Sequence, residues 1–70
     1  MSKKCLQEQY AFFLHRPIWY ALGYLEGSGW TWKETKKDTY ECTKENFLYR
    51  LVITAYRYDG KTVVKSITVA

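Results

Sequence analysis

Little in this chain matches the apparatus of an enzyme, a metal site or a secreted scaffold. It has one histidine, His15, two well-separated cysteines, Cys5 and Cys42, and seven Asp and Glu spread along its length. No nucleophile stands close to a base in sequence. Cys5, His15 and Cys42 lack the paired short spacings of zinc sites, and no fourth ligand is apparent. A chain of 70 residues also has little room for a pocket that both excludes water and holds a catalytic shell. Neither catalysis, nor a metal, nor a cofactor is expected. Two cysteines allow a single disulfide, whereas disulfide scaffolds carry about four or more, so two reduced thiols and a cytoplasmic setting are expected. No apolar region follows Met-Ser-Lys-Lys to serve as a secretory signal. The most apolar stretch, residues 10–25, is interrupted by His15, Arg16 and Pro17 and does not read as a membrane span. There is no run of five like charges, no basic tail, no internal repeat and no linker.

Aromatic residues, by contrast, are plentiful: seven Tyr, three Trp and three Phe. A domain this small buries only about three-fifths of its unfolded surface, so its core needs large side chains. With 47% hydrophobic and 26% charged residues the chain is ordinary for a globular protein, and residues 1–70 read as one domain. Eleven Lys and Arg give a formal charge of +4. That balance suits an anionic partner, nucleic acid or an acidic protein surface, and serves equally well for solubility.

The pattern predicts a small α+β domain, with an N-terminal helix packed on a twisted antiparallel sheet of about four strands. Leu6, Tyr10, Phe13 and Leu14 form one apolar stripe, which places a helix over residues 3–16 with Ser2 as N-cap and a stop before Pro17. Phe12 falls off that stripe and needs a second contact surface. Residues 18–25 fit both periods. Pro17 and Gly27 suit the ends of a helix, but Trp, Tyr and Gly23 tip the reading to strand. Gly27-Ser28-Gly29 is a turn, Trp30 and Trp32 lie on a half-buried strand, and residues 36–38 turn into a further strand over 39–42.

The chain ends in a long hairpin over residues 46–69, with Asp59-Gly60 at its tip. Two registers compete. A two-residue loop pairs Tyr56 with Val63 and mixes charge into both faces. A three-residue loop pairs Arg57 with Lys61, Ala55 with Val63, Leu51 with Ile67 and Tyr49 with Val69, and makes one face nearly all apolar. The cleaner face favours the second, with Lys65 left awkward.

Residues 21–29, ALGYLEGSG, resemble the LAGLIDADG motif of homing endonucleases at Gly23, Leu25, Glu26, Gly27 and Gly29. That family packs motif helices together and binds catalytic metal through a motif carboxylate. Ser28 stands where the acid belongs, and the chain is too short for the family's usual domain. A Gly-Ser-Gly turn after an apolar segment is therefore expected at residues 27–29.

The pattern most open to a functional reading is aromatic residues interleaved with bases. Lys33, Lys36 and Lys37 lie near Trp30 and Trp32, while Arg50, Tyr56, Tyr58 and Lys61 project from the hairpin. Arg50 and Tyr56 share the face opposite the core. Exposed aromatics on a basic sheet stack bases while cations hold phosphates. The expected function is a small non-catalytic binding protein engaging nucleic acid through these seven residues. The competing expectation is a protein-binding inhibitor or regulator of phage or mobile-element type, using aromatic anchors or an exposed strand edge. Uncovered sheet edges also admit a homodimer. What separates the first two is whether Trp30, Trp32 and Tyr56 are exposed beside the lysines.

Overall fold

Ser2 opens the first helix as the sequence predicts. In the computed structural model, which describes residues 2–70, its hydroxyl accepts the Cys5 N–H at 3.1 Å and caps α1, Lys3–Gln9. The helix is shorter than the apolar stripe implies. Ala11–Phe13 forms a 3-10 turn and His15 adopts φ +65°. The cause is tertiary. His15 N–H donates to the Val64 carbonyl at 2.9 Å and Val64 N–H donates to the Arg16 carbonyl at 2.8 Å, so these residues run beside the last strand and cannot also wind into a helix.

Residues 18–25 are helix, not strand. α2 spans Ile18–Gly27, and Pro17, with φ −56°, leads into it. Ile18, Ala21, Leu22 and Leu25 fall at i, i+3, i+4 and i+7. Ala21, Leu22 and Leu25 are buried, with Ile18 packed against them. Burial of this stripe outweighs the roughly 1 kcal/mol that Gly23 costs a helix interior. Ser28 and Gly29, the latter at φ +92°, turn the chain into the sheet.

The sheet is a four-stranded antiparallel meander in the order β1 (Trp30–Lys36), β2 (Thr39–Lys44), β3 (Leu51–Tyr58) and β4 (Lys61–Val69). Asp38, at φ +58°, makes the β1–β2 turn, and its carbonyl accepts the Ala55 N–H at 2.9 Å. The helices cover one sheet face. Leu6, Tyr10, Phe13, Ala21, Leu22 and Leu25 pack there on Trp30, Cys42, Leu51, Ile53, Val64, Ile67 and Val69. Phe12 finds its second surface on α2, with its ring 5.2 Å from Tyr24.

The hairpin register corrects the three-residue loop. Tyr58 pairs with Lys61 across a two-residue Asp59-Gly60 turn in which both residues have positive φ, +51° and +74°. Pairing continues through Tyr56–Val63 and Ala55–Val64, slips by one residue, and resumes as Thr54–Ser66, Ile53–Ile67 and Leu51–Val69. Lys65 is the extra residue of a β-bulge. The bulge resolves the conflict between turn chemistry and facial pattern. The tip takes its preferred turn, and the buried set Leu51, Ile53, Ala55, Val64, Ile67 and Val69 still shares one face. Val63, assigned to that face from sequence, lies instead opposite Tyr56 and is bridged to Pro17.

Candidate binding surfaces

Three surfaces can meet a partner: the bare sheet face, the end of the sheet carrying the hairpin tip, and the outer side of the helices. The bare face bears Lys33, Glu41 and Arg50. Lys33 is the cross-strand partner of Glu41, and Arg50 Nη1 lies 3.5 Å from Glu41 Oε1. Glu41 thus offsets part of the positive charge there. Thr31 and Thr43 bond to each other across β1–β2, and Thr54 to Ser66 across β3–β4, so hydroxyl pairs line the face beside these charges. The Cys42 thiol on the covered face is pushed up to about 12, by burial first and by Glu41 second. It is inert near neutral pH. Cys5 and Cys42 are both free. Among the described residues, no three His, Cys, Asp or Glu side chains gather to hold a metal, and no helix is long and apolar enough to cross a membrane.

Lys36, Lys37, Tyr56, Tyr58 and Lys61 lie toward one end of the sheet. The turn at Asp38 is tied to β3 at Ala55, and the hairpin tip continues beyond it. Arg57 joins them, its guanidinium 3.5 Å from the Thr62 hydroxyl. Tyr58 is 69% exposed, whereas Tyr56 is half-buried and shares a hydrogen bond with His15 Nδ1 at 3.1 Å. Lys33 and Arg50 sit away from this end. Lys33 and Lys36 also belong to β1, an edge strand, where lysines discourage edge-to-edge pairing.

The tryptophans do not join the lysines on the bare face. Trp30 is 3% exposed and packs on Tyr10 and Phe47. Trp32 points to the helix side, where its Nε1–H donates to Glu26 Oε1 at 2.6 Å and its ring meets Tyr40 at 5.7 Å.

The helical side carries aromatic surface that sequence reading passed over. Trp19 is 72% exposed, and Phe12, Leu14 and Tyr24 are each exposed by 40% or more. The rings of Phe12, Tyr20 and Tyr24 contact one another, Trp19 stands against Tyr20, and Arg16 lies over the Tyr20 ring at 5.1 Å. The available signal was the helical stripe of Ile18, Ala21, Leu22 and Leu25, which leaves Trp19, Gly23, Tyr24 and Glu26 to face outward. Between α2 and the β1–β2 ribbon runs an open groove of about 370 Å³, lined by Trp19, Gly23, Glu26, Trp32, Glu34 and Tyr40 among others. Tyr40 has its pKa raised by burial first, then by Glu34 and Asp38.

Comparison with protein-family models, curated proteins and solved structures found no match for the chain.

Proposed function

We propose that the chain is a non-catalytic protein-binding domain, an inhibitor or regulator that meets its partner through the outer aromatic surface of its helices. The observation that carries this reading is Trp19, a tryptophan 72% exposed on a helix whose opposite side is core. Contiguous exposed apolar surface on a small domain marks an interaction site, and Trp, Tyr and Arg are the usual anchors of protein interfaces. Trp19, Tyr24, Phe12 and Arg16 supply these types on one side of the fold. The test is affinity purification of the tagged chain from its native host, beside a Trp19→Ala/Tyr24→Ala variant. A stoichiometric protein should be captured by the parent chain, survive nuclease treatment and be lost from the variant. If the parent chain comes down alone, the proposal fails.

The basic end of the sheet favours a second reading, nucleic-acid binding through Lys36, Lys37, Arg57, Lys61 and the exposed ring of Tyr58. Tryptophan stacking is not part of it, since Trp30 is core and Trp32 faces the helices. Binding of labelled single-stranded oligonucleotide should weaken with salt by about 0.7 in log-log slope per phosphate neutralised. No binding at low salt removes it. A homodimer, on either reading, would use the β1 edge, which has no neighbouring strand, only where its lysines meet compensating acids of the second copy.

A further inference from the structure

The groove between α2 and β1–β2 has a chemical character opposite to that of the chain as a whole. Its walls include Trp19, Trp32 and Tyr40, and beside them stand two carboxylates, Glu26 and Glu34. Glu26 is fixed by the Trp32 indole N–H, and Glu34 Oε2 accepts the Asp38 N–H at 3.1 Å. The chain carries eleven Lys and Arg, yet among the described residues neither glutamate is ion-paired; the ion pair found there is Arg50–Glu41, on the opposite sheet face. At Gly23, within the lining, nothing lies within 4 Å of the position a Cβ would take, so the helix leaves room for an incoming group. Aromatic faces beside unpaired carboxylates attract organic cations and repel phosphate.

We propose that this groove seats a basic side chain, arginine or lysine, of the partner protein. Its alkyl stem lies along Trp19 and Trp32, and its charged head turns toward Glu26 and Glu34. The occupant is a protein side chain because the groove opens onto the exposed surface at Trp19, which belongs to both. This inference rests on the protein-binding reading above and adds the chemistry of the partner's anchor.

The test uses n-butylguanidinium as a stand-in for that anchor and n-butylurea as its uncharged counterpart, titrated into 15N-labelled protein. The expected result is saturable shifts of the Trp19 and Trp32 indole N–H and the Gly23 amide, with Thr54 on the far sheet face unmoved. Butylurea should bind roughly fivefold or more weakly, and so should butylguanidinium to a Glu26→Gln/Glu34→Gln variant. Glutamine keeps an acceptor oxygen for Trp32 and Asp38, so the fold is preserved while the charge is removed. Equal binding of the two probes, unchanged binding to the variant, or no saturable shift overturns the inference. The probe needs no partner, so the two claims fail separately. A negative titration with Trp19-dependent capture intact sinks the cation site alone. A positive titration with no protein captured sinks the partner reading alone.

Discussion

Deleting Lys65 should leave the protein folded. Lys65 is the residue by which β4 exceeds β3, lying between the Ala55–Val64 and Thr54–Ser66 pairs. Without it, Val64 is followed directly by Ser66, and every remaining residue keeps both its partner and its face. The ladder regains about one backbone hydrogen bond, worth ~0.5–1.5 kcal/mol, and loses the twist that the bulge supplies. The net change should stay within about 1.5 kcal/mol, a shift of no more than roughly 12 °C in a domain of this size. Deleting Val52 is the contrasting perturbation. β3 has pairing partners on both sides and no extra residue to give up, so either Leu51, or Ile53 together with Ala55, must cross to the bare face. Leu51 and Ile53 are both fully buried, and each loses about 1.5–3 kcal/mol on exposure. Arg50 or Thr54 would then be driven into the core, bringing the cost to roughly 3–6 kcal/mol. A chain this long has roughly 4–10 kcal/mol in total. Thermal unfolding followed by circular dichroism, with the Ile53–Ile67 nuclear Overhauser contact as a register check, reads both variants. If the Lys65 deletion unfolds, or the two deletions are equally costly, the bulge account is wrong.

Gly23→Ala should raise stability by about 1 kcal/mol, because α2 gains propensity and the added methyl meets no neighbour; chemical denaturation measures it. Ser2→Ala removes the α1 cap and should cost about 0.5–2 kcal/mol in the same assay. A thiol reagent should modify Cys5 in the native protein and Cys42 only after denaturation, giving one reactive thiol and then two. Cys42 also sets a direction with pH. Its thiol ionises near 9.0 when unfolded and at about 12 when folded, so the unfolded state loses the proton first. Its contribution is constant below 9 and stability falls as pH rises from 9 to 12; Cys42→Ala, compared in alkaline unfolding titrations, should show the shallower decline.

The α+β architecture was readable because the hairpin and the Trp30 strand carry period-two patterns with strong turn signals at their ends. Two things were hidden. Residues 18–25 satisfied both periods, and the choice was settled by the packing of Ile18, Ala21, Leu22 and Leu25 against a sheet whose position no local pattern discloses. The hairpin posed a conflict between turn and face that a single register could not satisfy; Lys65, left awkward on the apolar face by the three-residue loop, is where the bulge relieves it. The candidate surfaces followed from the same two points. Once residues 18–25 are helical, Trp19 and Tyr24 face outward and Glu26 reaches Trp32, which strand alternation already sets on the face opposite Lys33. Placement of Tyr58 and Lys61 at one end of the sheet depended only on the hairpin and was legible from the start.

The bonds between Val64 and residues 15–16 have a consequence for assembly. They occupy part of the outer edge of β4 with a segment of the chain's own N-terminal half, capped by the bridge from Pro17 to Val63. A strand arriving there must first displace that segment, whereas one arriving at β1 meets only side-chain charge. The sheet therefore has one open edge, at β1, and one partly blocked edge, at β4. Pairing of two copies through β1 would consume both open edges at once, and further growth would have to start from β4, where the bonds to Val64 stand in the way.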